Sequence, residues 1–226
     1  MTINKYILFL CFSLLNAKSQ DVFEYKIKLL GIPVANCLIN YTDTTISNVG
    51  CKRLDYRVNT NAFIDKIFKI NNHYTVIIDT SRYNTLFYAK KSFQPNVINN
   101  IKTSLNRDSL TYINSNISIN KKDKNIFTVL YLLQSGKYHD LDSINYIERE
   151  GKYYKFDLEQ YKKNQFKILI EEINSRKNGV IKDTDIFLWG LFLNKSNNRI
   201  IMNNEHNYID KCIFKKGITS ITAHYQ

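Results

Sequence analysis

Carboxylates stand two residues apart at several places in this chain, among them Asp140 with Asp142, Glu148 with Glu150, and Asp183 with Asp185. On a strand that spacing puts both side chains on one face, where one could act as general acid and the other as base. A solvated strand face or a loop produces the same spacing without chemistry, and no residue beside these pairs marks a pocket that would raise a pKa. Tyr153 with Tyr154, and Phe87 with Tyr88, could stack on a sugar or pack on a lipid. Tyrosine is also a favoured strand residue.

Other signatures are missing. The sequence holds no P-loop, no Gly-x-Gly-x-x-Gly, no Gly-x-Ser-x-Gly elbow and no His-Glu-x-x-His. Its seven glycines leave little from which to build a phosphate cradle. His73, His139, His206 and His224 lie far apart, and none has a further ligand at metal-binding spacing. The expectation is therefore no catalytic residue, no metal and no cofactor, with the ligand-binding residues unassigned. After Cys11, the cysteines are Cys37, Cys51 and Cys212, an odd number that cannot all pair internally. A hairpin turning near Thr45 sets Cys37 and Cys51 off opposition, so small buried thiols are expected rather than a bridge.

Residues 1–19 read as a secretory signal. Lys5 precedes the apolar run Tyr6 to Leu15, and Ala17 and Ser19 place small residues at −3 and −1 of a cleavage site. Cys11 does not suit lipidation, because Leu10 stands where such signals want a small residue. No later stretch reaches the about 20 apolar residues needed to span a bilayer as a helix. Residues 20–226 then form one β-rich domain, exported to the periplasm or beyond. The formal charge of +12 falls to +10 when Lys5 and Lys18 leave with the signal. The lysines are scattered along alternating strands, which argues against nucleic acid and fits attraction to anionic lipid or polysaccharide.

The elements that must position any site are mostly strands. Phe23, Tyr25, Ile27 and Leu29 alternate with Glu24, Lys26 and Lys28, the period of two that marks a half-buried strand. The same alternation recurs at intervals of about 8–12 residues, as in an all-β barrel or sandwich. Glu150-Gly151 between two such runs is a hairpin signal. Residues 186–193, IFLWGLFL, are apolar on both faces and read as a central strand.

One segment departs from this pattern. Over 125–136, Ile126, Val129, Leu130 and Leu133 repeat at helical spacing, and Phe127, Tyr131 and Leu132 cover much of the remaining circumference. Asn125 suits an N-cap and Gly136 the position after the C-cap. The fold expected is mainly β: a strongly curved antiparallel sheet, or an open barrel or sandwich, packed around one short apolar helix.

Two segments carry a family resemblance. Gly31-Ile32-Pro33-Val34 is similar to an early Gly-hydrophobic-Pro-Val-like step, and Asn125 to Gln134 to a helix of the type Asp-x-x-Ser-x-Leu-Tyr-x-Leu-Arg. Together with the signal and the late return hairpin, they resemble the exported bacterial family called domain of unknown function 3108. The chain departs from it at Ala35 and Asn36, where a glycine often follows the first step, at Asn125 for the leading Asp, and at Gln134 for the Arg. The resemblance implies a secreted or periplasmic antiparallel β protein and transfers no catalytic residue.

The function expected is thus that of an exported, non-catalytic cell-envelope protein that binds a lipid or other apolar ligand. The alternatives are an envelope-polymer-modifying enzyme using a carboxylate pair, and an interaction module pairing through an edge strand or a basic face.

Overall fold

The computed structural model describes residues 20–173, 179–180, 185–192 and 196–226. The expected signal peptide, 1–19, and Asp183 lie outside the described residues. The first strands are β1 Gln20–Leu29, β2 Ile32–Ile46, β3 Val49–Thr60, β4 Asn71–Asp79, β5 Thr85–Gln94, β6 Val97–Asn106, β7 Ser109–Tyr112, β8 Ser118–Asn120 and β9 Lys124–Asn125. After the helix α1, Ile126–Gln134, come β10 Tyr146–Arg149, β11 Lys152–Lys162 and β12 Gln165–Glu172. A second helix, α2, spans Ile186–Leu191, followed by β13 Asn197–Met202, β14 Ile209–Lys216 and β15 Thr219–Tyr225.

These strands form one continuous sheet in the order β8 to β1, then β15 down to β9. Every pairing is antiparallel except β9 with β10. Strand twist accumulates with each neighbour, so a sheet this long must curl. It curls until its two ends face each other, and side chains rather than a backbone ladder close the gap. Tyr153 donates to Asp123 at 2.6 Å there. A Cβ added at Gly151 would lie 2.9 Å from Ile117 Cγ2.

The meander places its turns alternately at two ends. The upper end carries Leu30-Gly31, the connection 61–70, Pro95-Asn96 and Gly217-Ile218; the lower end carries Ser47-Asn48, residues 80–84, Arg107-Asp108, Lys163-Asn164 and residues 203–208. Alternation decides which side chains face the lumen. Tyr25 and Ile27 on β1, Leu54, Tyr56 and Val58 on β3, and Tyr74, Val76 and Ile78 on β4 are all buried.

Helix α1 fills the lower lumen, and all nine of its residues are buried. Asn125 caps it as expected, accepting from Thr128 N at 3.0 Å, and Gly136 follows at φ +67°. Gln134 Oε1 accepts the backbone N–H of Ile209 at 2.8 Å, which ties the helix end to the start of β14.

The strand expected at 186–193 is instead the helix α2. Its run is apolar at every position, so periodicity alone could not separate a central strand from a buried helix. Asp185 decides it: its side chain accepts the Leu188 N–H at 3.0 Å as an N-cap. Gly190 then lets the helix approach β15, since a Cβ there would stand 3.2 Å from Ile221 Cδ1. Ile186 N donates to Gln94 Oε1 at the top of β5, so α2 sits at the upper end. The two helices meet inside the sheet through Phe127 and Phe187, stacked at 6.4 Å between ring centroids.

Candidate functional site

Of these carboxylates, Glu148 and Glu150 come together with Asp185, although not on a solvated face. Alternation along β5 turns Tyr88, Lys90, Ser92 and Gln94 inward. Lys90 is completely buried, and its Nζ lies 2.6 Å from Glu150 Oε1 and 2.7 Å from Asp185 Oδ2. Tyr88 also donates to Glu150, and Tyr74 to Asp185. Glu148 Oε1 accepts from the Tyr112 hydroxyl at 2.7 Å and from Gly151 N at 2.6 Å. Burial pushes the Glu148 carboxyl up to about 7, against the hydrogen bonds from Gly151 and Tyr112, which pull it down.

Glu150 and Gly151 occupy the tight turn between β10 and β11, both at positive φ, which is the hairpin expected from their dipeptide. The expectation of solvated faces fails for Glu148, Glu150 and Asp185 because their strands and cap lie where the sheet ends meet, beneath other elements. Asp140 and Asp142 are exposed in and after a short 3-10 turn, Tyr138–Leu141, apart from this cluster. The space touching Glu148 and Glu150 is about 10 Å³, close to what one water requires. That is no room for a substrate. The cluster is a buried electrostatic clasp across the seam.

Two spaces inside the curve of the sheet are apolar. Ile27 on β1 stands in register between Ala35 on β2 and Ala223 on β15, and Ala223 is paired in turn with Cys212 on β14. A row of small side chains therefore runs across the inner face beneath α2. Where small residues oppose a helix, the backbone spacing of about 10 Å between layers is not filled. The result is a cavity of about 90 Å³ walled by Val34, Ala35, Val58, Ile70, Leu191 and Ile221 among others. A neighbouring cavity of about 50 Å³ shares Ile27, Phe187, Leu191, Phe214 and Ala223, and reaches down to Leu130 and Gln134 of α1. Cys37 and Cys212 line it, both buried and unpaired, and burial pushes their thiols up to about 12. Cys51 is likewise free; it pairs with Thr44 in the β2–β3 ladder while Cys37 pairs with Val58, the mismatch expected from the hairpin.

Of the tyrosines singled out in sequence, Tyr88 and Tyr154 are buried and Tyr153 is half-buried at the seam. Tyr154 packs at 4.7 Å on Phe192, with the Arg149 guanidinium over both rings. They build the core and its closure and present no stacking platform. The residues that sequence reasoning missed are Lys90, the inward lysine of an otherwise regular alternation, and the small row Ala35, Ala223 and Cys212. The first was legible from Tyr88 by counting in twos. The second needs the strand register, which no single strand reveals.

No family model matches this chain, and neither does any curated protein. Among solved structures, it is similar to a β-barrel-like protein of domain of unknown function 1849 from Brucella abortus, at 6% identity and a TM-score of 0.44, over 92% of this chain and 95% of that one.

Proposed function

We propose that this protein is an exported, non-catalytic component of a bacterial cell envelope whose cavity beneath α2 takes the end of an acyl chain or a similar slender apolar group. The carrying observation is the apolar space of about 90 Å³ at the row of small residues. Dry apolar cavities of about 150 Å³ bind molecules the size of benzene, so this space suits a few carbons of a ligand rather than a whole lipid. The export clause rests on Lys5, the apolar run Tyr6 to Leu15 and the small residues before Gln20. The resemblance to domain of unknown function 3108 supports the same setting. The buried clasp is read as structural, because its carboxylates spend their contacts on Lys90, on tyrosine hydroxyls and on backbone N–H groups.

The test is mass spectrometry of the protein purified from its host, with organic extraction, paired with thermal melts in the presence of a medium-chain fatty acid. A co-purified lipid, or a rise in Tm with the fatty acid, is expected. A lipid-free protein whose melting does not respond would end the ligand reading.

A further inference from the structure

The two ends of the barrel differ in a way that folding does not require. At the lower end the turn tips are Ser47-Asn48, Thr80-Ser81-Arg82, Arg107-Asp108, Lys163-Asn164 and the run Asn203 to Asn207, all polar, as solvent-facing turns usually are. At the upper end the connections along β1–β6 and β14–β15 carry exposed apolar side chains, while the turns farther round, Asn114-Ser115-Asn116 and Glu150-Gly151, are polar. The six most exposed large apolar side chains among the described residues are Leu30, Ile32, Phe63, Ile67, Ile98 and Ile218, from 61% at Leu30 to 92% at Ile218. All six belong to upper turns or to strand residues within two positions of one, and they come from four separate connections. Leu30 is held at φ +51°, a conformation that Asn or Gly adopts more cheaply, and its lower-end counterpart in the β2–β3 turn is Asn48 at +63°.

Charge on the same end is one-sided along β1–β5 and β14–β15. Lys28, Lys66, Lys69, Lys91, Lys215 and Lys216 surround these tips. Asp65 is the acid among them, and its carboxylate is engaged by the Thr60 hydroxyl. Glu171 and Glu172 end β12 farther round the rim, and Glu172 pairs with Lys152 at 3.1 Å.

Exposed apolar tips rimmed by lysine are the composition of a surface that sits at a membrane interface, with side chains at the headgroup–acyl boundary and ammonium groups on phosphates. We infer that the upper end of the barrel docks on an anionic phospholipid bilayer, inserting the tips at Leu30, Phe63, Ile67 and Ile218. The larger of the two apolar cavities lies directly below, with Leu29, Val34, Ile70 and Ile221 in its wall. Docking does not require that cavity to hold anything, so the two ideas stand or fall separately.

Trp189, the chain's single tryptophan, lies half-exposed on α2 at this end and reports on docking directly. The experiment titrates the exported protein, its N-terminus established by intact mass, with phosphatidylglycerol and with phosphatidylcholine vesicles, following Trp189 emission and its quenching by brominated lipid. Saturable binding with a blue shift is expected on phosphatidylglycerol, weaker by about tenfold or more on phosphatidylcholine. The triple variant Phe63→Ser, Ile67→Ser, Ile218→Ser should lose about tenfold or more in affinity with its Tm unchanged, because those side chains contact solvent. A lower-end control, Val49→Ser with Leu105→Ser, should bind as the parent does. Absence of binding to phosphatidylglycerol, or equal binding by the triple variant, overturns the proposal. So does a dimer in sedimentation equilibrium that the triple variant dissolves, since a second copy would then be what covers the rim.

Discussion

Lys90 Nζ and Glu150 Oε1, sixty positions apart in the chain, meet at 2.6 Å across the gap that, among the described residues, no backbone ladder bridges. The pair does there what a strand pairing does elsewhere: it fixes which part of one end faces which part of the other. Asp185 joins it from the N-cap of α2, so one ammonium group orders the seam and the upper helix together. Removing it would leave two buried carboxylates without their cation. Lys90→Met should therefore cost roughly 3–5 kcal/mol of unfolding free energy. Lys52→Met, which breaks the partly exposed pair with Asp43 at 2.7 Å, should cost about 0–1 kcal/mol. Urea denaturation of both variants measures the contrast; equal costs would mean that the clasp is not closed in solution.

Glu148 gives the seam a pH dependence. Its carboxyl is pushed up to about 7 by burial, from 4.5 for the free group. Between those values the folded state holds a proton that the unfolded chain has lost. Stability from this group is thus fully present below about 4.5 and is lost as pH rises through about 7, by roughly 3 kcal/mol. His224 pulls the other way: burial, then Lys211 and Lys28, hold it below its ordinary value, so folding is opposed as pH falls. The difference between the parent and Glu148→Gln removes that contribution. Gln keeps an acceptor for Tyr112 and Gly151 but cannot ionise. The parent should lose stability relative to Glu148→Gln between pH 5 and 8, read from urea midpoints; parallel pH profiles would place Glu148 in water.

Much of the architecture was readable beforehand because it depends on local periodicity. The helix over Ile126–Gln134 announces itself by spacing, and Asn125 and Gly136 mark its ends. Tyr25 and Ile27 declare the inner face of β1 by alternating with Lys26 and Lys28. What escaped depends on distance in sequence. Ile186–Leu191 has no polar face, so only the capping contact of Asp185 with Leu188 N reveals a helix. Glu148 and Glu150 look solvated until Tyr112, Lys90 and Tyr88 arrive from the far end of the sheet. The cavity is less legible still. Ala35 and Ala223 are unremarkable residues nearly two hundred positions apart, and only their common neighbour Ile27 turns them into a gap.

The hairpin that carries Glu150 is itself a point of sensitivity. Gly151 sits at φ +88°, and a Cβ there would approach Ile117 Cγ2 to 2.9 Å. Gly217, in the β14–β15 turn, also has positive φ, at +57°, but a Cβ there meets nothing within 4 Å. Gly217→Ala should cost only the backbone term of about 1–2 kcal/mol. Gly151→Ala should cost more, by about 1 kcal/mol, because Ile117 must also give way at the seam. Chemical denaturation decides it: indistinguishable values would show that Ile117 does not press on this turn.

The cavity can be tested by filling it. Ala223 lines both apolar spaces and points inward from β15. Ala223→Leu adds three carbons where there is room, so the ligand-free protein should gain about 0.5–2 kcal/mol. Were the site already filled by its neighbours, the same change would overpack it and cost about 1–3 kcal/mol instead. The sign alone distinguishes an open core from a closed one. The variant should also come out of its host without the acyl ligand, since the added side chain takes the volume that the ligand would use. A stabilised Ala223→Leu that still carries lipid would move the ligand to some other part of the molecule, and a destabilised one would remove the cavity from consideration.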